Sequence, residues 1–210
     1  MASFWLEFWT ALRASSVYDV WGFITGLLCV WLAARESVWN FPVAIVACVI
    51  AGIVYFQAKL YSDMGLQVVF VALAFYGWWM WLRKGPAQGQ LHVSTTSWRW
   101  WVVLAALAVG FTLIAGYLFE TYTDAAAPYW DNGATAVSLV AQFLLTRKKL
   151  ENWLLWIAVD ILYVVLYWHR GLALFSVEYV IFIGLAVYGY WEWRRLRRAA
   201  PALSTPLSAA

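Results

Sequence analysis

The chain has 210 residues, 65% of them hydrophobic and 12% charged, with 17 tryptophans, a mean hydropathy of +0.71 and a formal net charge of +3. An ordinary soluble domain is roughly half apolar and about a quarter charged, so this composition excludes a water-soluble globule and makes lipid part of the solvent. The net charge is too small to argue for a nucleic-acid partner, and its placement along the chain says more than its size.

Residues 1–16, MASFWLEFWTALRASS, place Phe4, Trp5, Phe8, Trp9 and Leu12 on one helical face, with Glu7 and Arg13 off it. That pattern predicts a short amphipathic helix lying in the membrane interface. Early positive charges are missing and Glu7 interrupts the apolar stretch, so it reads poorly as a signal peptide. Seven apolar runs of spanning character then follow, over 17–35, 40–60, 65–83, 99–119, 133–147, 152–169 and 172–193. A polar segment at 85–98 reads as a loop. The stretch 196–210, basic at its start and carrying Pro201 and Pro206, reads as a disordered tail. Cys29 and Cys48 both sit in apolar runs and read as reduced core residues rather than as a disulfide or metal framework.

Lys and Arg set the orientation. With the C-terminus cytoplasmic, eleven fall on the cytoplasmic side (among them Arg35, Arg83, Arg147, Lys148 and Lys149) and three on the other, Arg13, Lys59 and Arg170. The positive-inside rule therefore predicts the N-terminus outside and the C-terminus inside. An odd number of spans is needed for that asymmetry.

AFYGWWMWLR (74–83) and AVYGYWEWRR (186–195) agree at six of ten positions, at an offset of 112. At the same offset Arg35 meets Arg147, Asn40 meets Asn152, Tyr55 meets Tyr167 and Phe70 meets Phe182. Spans one to three thus match spans five to seven, and span four is a connector. The triplets are four crossings apart, so they run in the same direction. The expected fold is an all-α membrane protein of two parallel three-helix repeats (17–84 and 129–195) joined by a linking helix (99–119), a 3+1+3 plan similar to sugar carriers of the SWEET type. Such repeats place a substrate near mid-membrane, between the halves.

Ionisable residues inside spans are expensive and mark function. Asp160 is mid-span, and Trp153, Trp156, Tyr163 and Tyr167 share its face at three- and four-residue spacing. One reading is a packing stripe with a single satisfied polar contact. The other is a cage for a flat cationic ring, held by cation–π contact and a counter-charge. Glu178 fits either a structural hydrogen bond or the site. Gln57, Gln67 and Gln142 offer amides suited to a ribose or a carboxamide, or to bonding between helices. Asn40 and Asn152 read as helix caps. Neither His92 nor His169 has a metal partner at ligand spacing. No phosphate-binding Gly-rich loop, HExxH or nucleophile triad occurs, so neither an enzyme nor a bound cofactor is expected.

The stretches 55–81 and 151–193 resemble the PnuC family of bacterial vitamin transporters. Tyr55–Phe56, Lys59–Leu60–Tyr61, Asp63, Leu66–Gln67 and Tyr76–Gly77–Trp78 carry the resemblance, with Glu151, Trp153 and Trp156 supplying its E-x-W-x-x-W signature. It covers about 18–195. It implies nicotinamide riboside as substrate, uptake across the bacterial inner membrane by facilitated diffusion, trapping by a separate kinase, a role in pyridine nucleotide biosynthesis, and a homotrimer. Carried over residue by residue, it points to Gln67, Trp156 and Asp160, with Tyr76 and Tyr188 after them; Tyr163, Gln57 and Glu178 complete the candidate set. The family often has an acid where Gln57 stands, and Glu178 is not one of its expected positions. Thiamine or another nucleoside or vitamin is the alternative cargo. A SWEET-type sugar carrier and a non-transporting membrane scaffold are the readings outside the family.

Overall fold

A computed structural model describes residues 6, 9–10, 12–13, 17–57, 61–83, 92–123, 128–169 and 173–199. Phe4, Trp5, Phe8, Lys59, Arg170, loop residues 85–91 and the tail from Ala200 therefore lie outside the described residues. Within 1–16 the described residues are helical, and Leu6, Trp9 and Leu12 are exposed.

Seven long helices follow: α1 Val17–Ala34, α2 Asn40–Gln57, α3 Tyr61–Leu82, α4 Trp98–Tyr122, α5 Pro128–Thr146, α6 Asn152–His169 and α7 Ala173–Ala199. Among the described residues five stretches are long and apolar enough to cross a membrane alone: α2, Met64–Leu82 of α3, α4, α6 and α7. The apolar part of α1, Val20–Ala34, is shorter. α5 is the most sheltered helix, with Asn132, Ser138 and Thr146 buried among its neighbours α3, α4 and α6. Protein rather than lipid surrounds its polar groups, so this helix needs less apolar sequence than the others. α7 runs past the expected end of the last span to Ala199, because Trp193 and Leu196 continue its apolar period into the core. Residues 196–199 are thus helix rather than tail.

The packing closes a circuit. α1 lies against α2 and α7, α3 against α2 and α5, and α6 against α5 and α7. α4 stands outside this ring of six and touches α5 alone among the long helices. There Gly116 lets the ring of Tyr129 approach the α4 backbone, and Tyr129 Oη donates to Glu120 Oε2 at 3.0 Å. Large apolar side chains such as Leu107, Leu113 and Ile114 cover the outer surface of α4, as a lipid-facing helix requires.

Local geometry recurs 112 residues apart at one end of the ring, the end that carries most of the Lys and Arg. α1 and α5 both stop in a left-handed residue, Glu36 at φ 52° and Lys148 at φ 49°. In each case the N–H of the residue after it reaches back to a carbonyl of the last turn, Ser37 to Leu32 at 2.9 Å and Lys149 to Leu144 at 2.9 Å, which is the Schellman closure of a helix C-terminus. Asn40 Nδ2 then donates to Ser37 O at 2.6 Å, and Asn152 Nδ2 to Lys149 O at 2.7 Å. These asparagines were expected to accept from the first helical N–H groups. They instead lock the preceding turn.

The third helices pack alike as well. Gly77 on α3 leaves room for Phe41, and Gly189 on α7 for Trp153. Phe41 meets Trp81 edge-on at 4.9 Å, and Trp153 meets Trp193 edge-on at 5.4 Å. Trp81 and Trp193 approach each other to 6.0 Å, and with Ala33, Ala34 and Leu145 they form the core of this end.

One further element joins this end. Residues 92–97 form an extended strap: Ser94 N donates to Lys148 O at 3.0 Å and Leu150 N to Ser94 O at 2.9 Å. Glu151 accepts from Thr96 N at 3.0 and 3.1 Å, and Val93 is buried in the core.

Candidate functional site

The faces of α6 separate cleanly. Leu154, Ile161, Val165 and Trp168 are each about half exposed and form its outer stripe, whereas Trp153, Trp156, Asp160, Tyr163 and Tyr167 turn inward. An i, i+3, i+4 stripe on a helix of 3.6 residues per turn produces this division. Asp160 is 6% exposed, and among the described residues no hydrogen bond or ion pair reaches its carboxylate. A buried carboxylate costs several kcal/mol, of order 3–5, when unpaired, so this position asks for a counter-charge or a donor from something other than its neighbours.

Aromatic rings fill the inner face beyond Asp160. Tyr163 and Tyr167 stack at 5.9 Å, and Tyr179 of α7 lies 4.9 Å from Tyr163 and 5.5 Å from Tyr167. Phe175 closes on Tyr167 at 5.4 Å, and Phe182 on Tyr179 at 6.0 Å. Tyr179 is within electrostatic reach of both Asp160 and Glu178, and Tyr163 of Asp160, Asp131 and Tyr55. Tyr163, Tyr167 and Tyr179 thus form one cluster, with Asp160, Glu178, Asp131 and Tyr55 of α2 within electrostatic reach of it. The arrangement suits a flat, positively charged solute: ring faces attract cations, and the acids supply charge.

The candidates divide on this geometry. Asp160 and Tyr163 share the region with Glu178, which is half-buried near Tyr179. Trp156 sits one turn before Asp160 and packs against the core of the basic end. Gln67 is half-buried on α3, with its Cβ against Gly52 of α2. Three stand apart. Gln57 is exposed at the last position of α2. Tyr188 points outward, 39% exposed. Tyr76 is engaged at the basic end, where its hydroxyl accepts from Arg147 Nη1 at 2.8 Å. The repeat explains why Tyr76 and Tyr188 attracted notice, but Gly77 and Gly189, beside them, are the packed positions.

Sequence reasoning missed Tyr179. It lies 112 residues from Gln67, so the two halves present different chemistry at one register position, an amide in the first and a phenol in the second. Cys48 stands likewise where the second half has Asp160. The site is therefore lopsided, with its carboxylates and phenols concentrated on α6 and α7. Comparing the repeats for differences, rather than for matches, is the signal that marks Tyr179. Among the described residues no group of three His, Cys, Asp or Glu side chains is placed to hold a metal ion.

Comparison with known proteins adds three findings. The family model described as nicotinamide mononucleotide transporter matches residues 16–195. The chain is 30% identical over 201 residues to the nicotinamide riboside transporter PnuC of Escherichia coli K12, covering 82% of each, and 32% identical over 194 residues to the riboflavin/roseoflavin transporter RibM of Streptomyces davaonensis, covering 88% of this chain and 89% of that one. Its fold is similar to a crystal structure of the vitamin B3 transporter PnuC, with a TM-score of 0.69 at 25% identity over 94% of this chain and 89% of the other.

Proposed function

The chain belongs to the nicotinamide mononucleotide transporter family, and on that premise we propose that it is a uniporter that imports nicotinamide riboside by facilitated diffusion, with a separate intracellular kinase trapping the product. It is a membrane transporter by its relatives and its apolar helices. The observation that carries the choice of cargo is Asp160, a buried carboxylate on an aromatic face that no described residue hydrogen-bonds or pairs with. Nicotinamide riboside is a flat pyridinium cation bearing a carboxamide and a ribose. Its ring charge would pair with Asp160, its faces would lie against Tyr163 and Trp156, and its amide and hydroxyls would suit Gln67. The mononucleotide adds a phosphate of about two negative charges, and like charges disfavour that group beside Asp160 and Glu178.

The rest of the reading follows the same lines. Corresponding helices of the two halves run parallel, as 3+1+3 repeats, and the substrate sits between them near mid-membrane. The basic end is cytoplasmic by the positive-inside rule, which puts the N-terminus outside in the bacterial inner membrane. Residues 1–16 lie in the interface, and the assembly is a homotrimer.

Riboflavin is the second reading, because one relative is named for it. Its neutral isoalloxazine would use the aromatic face and leave Asp160 without a counter-charge. Thiamine, a flat cation, would use both. Direct binding to the purified protein separates them, comparing nicotinamide riboside, its mononucleotide, thiamine and riboflavin, with Asp160→Ala as control. Saturable binding of the riboside alone, weakened in the variant, is the expected result. Preference for another vitamin renames the cargo, and binding of none overturns the transport reading for this set.

A further inference from the structure

Glu36 and Lys148 are the same register position of the two halves, 112 residues apart. Each follows the last turn of a first helix, and each backbone is left-handed. Non-glycine residues adopt that conformation at some cost, and here it fixes where the side chains point. They point at each other, with Lys148 Nζ 3.1 Å from a Glu36 carboxylate oxygen. Equivalent positions thus carry opposite charges and meet.

The contact lies at the basic end of the ring, over its aromatic core. Lys148 is 8% exposed, and its ammonium lies 4.6 Å from the ring centre of Trp81, which in turn faces Trp193. The neighbouring cations have other partners: Lys149 donates to Ser94 Oγ at 2.9 Å and Arg147 to Tyr76. Glu36 belongs to the turn between α1 and α2, Lys148 to the turn between α5 and α6, so the pair ties the two halves together. The pair is partly buried, with the Lys148 side chain 10% and the Glu36 side chain 25% exposed. Such a pair contributes little net stability against its desolvation, but removing Glu36 leaves a buried ammonium unpaired, which is costly. A contact of that kind suits a two-state closure better than a static brace.

We propose that the Glu36–Lys148 ion pair is the gate at the basic end of the carrier. It rests on the transport reading above. Closed, the pair holds the two turns together over Trp81 and Trp193. Release toward the cytoplasm requires the turns to part and the buried Lys148 ammonium to hydrate.

The test uses full-length protein purified in detergent, without ligand, so a failure of the riboside to bind leaves the outcome readable. Cys29 and Cys48 are replaced by Ala. A reporter cysteine is placed at Ala33, which is buried beneath the pair, and a control cysteine at Ala134, near the opposite end of α5. The rate of labelling by a polar maleimide is followed for each. Glu36→Gln and Lys148→Met should each speed labelling at position 33 by about tenfold and leave position 134 unchanged. The charge-swapped protein, Glu36→Lys with Lys148→Glu, should label at close to the parental rate. Unchanged labelling in the single variants overturns the proposal. So does equal acceleration at both reporters, which means general loosening. A swapped protein as fast as the singles does the same. Glu36→Asp, which keeps the charge and shortens its reach, decides the matter if the charge-removing variants fail to fold: faster labelling at position 33 supports the gate, and the parental rate overturns it.

Discussion

The indole of Trp193 donates to the Ala33 carbonyl at 3.1 Å, tying the third helix of the second half to the first helix of the first half. Trp81 does the converse, donating to Thr146 O at 3.2 Å. Both indoles are buried, and both bonds reach carbonyls in the last turn of a helix. Ala33 O also accepts from Glu36 N at 3.0 Å, whereas Trp81 supplies Thr146 O with a donor where intrahelical ones have run out. Replacing Trp193 by Phe keeps the ring and removes the donor. Ala33 O keeps its bond from Glu36 N, so the expected cost is that of one hydrogen bond, about 0.5–1.5 kcal/mol, read as a lower unfolding temperature in detergent. Trp81→Phe leaves the buried Thr146 carbonyl without that donor and should cost more, about 1–3 kcal/mol. A Trp81→Phe variant with unchanged stability would mean that water reaches the Thr146 carbonyl.

Gly189 is needed for space rather than for backbone conformation. A Cβ there would meet the Trp153 indole at 2.6–2.7 Å, and that indole is pinned against Trp193. Gly189→Ala should therefore destabilise by about 1–3 kcal/mol, the usual effect of overpacking. Gly22 has nothing within 4 Å of the same point, so Gly22→Ala in the same helical setting should be neutral or mildly stabilising. Thermal unfolding of the two variants side by side checks the contrast.

Glu151 holds the strap, accepting from the backbone and the hydroxyl of Thr96. Charged acceptors of this kind contribute about 1.5–3 kcal/mol. Glu151→Gln keeps the shape but loses the charge and one acceptor oxygen. Hydrogen exchange at Val93–Thr96 should accelerate while the α6 amides stay protected. Acceleration spread evenly through α6 would show that the glutamate supports the helix instead.

Much of this architecture is legible in the sequence because a membrane span needs length and apolarity, and both can be read directly. α2, α4 and α6 end within three residues of their expected bounds. α5 begins five residues before its expected start because its shelter comes from other helices, which a local window cannot see. The site is legible in part for a similar reason. A charge on an apolar helix announces itself, so Asp160 stands out, and its spacing from Tyr163 gives the face. Tyr76 and Tyr188 attract notice through the repeated motif, but their environments come from partners far along the chain, Arg147 for one and the outer surface for the other. The Glu36–Lys148 contact is invisible locally, since each residue alone looks like a solvated turn charge.

Tyr179 gives the sharpest test of how the interior handles a flat cation. Its ring lies 4.9 Å from Tyr163 and 5.5 Å from Tyr167, and it stands near two carboxylates. If the ring face matters, Tyr179→Phe should keep riboside affinity within about threefold, whereas Tyr179→Ala should weaken it by about tenfold, the scale of one partly desolvated cation–π contact. If the hydroxyl matters, the Phe variant should lose as much as the Ala variant. Neutral competitors separate the causes further. Riboflavin binding, should it occur, depends on stacking and not on ring charge, so Asp160→Asn should spare it while Tyr179→Ala weakens it. Isothermal titration of both variants with both ligands would then assign charge recognition to Asp160 and ring recognition to the tyrosines, or show that one group performs both.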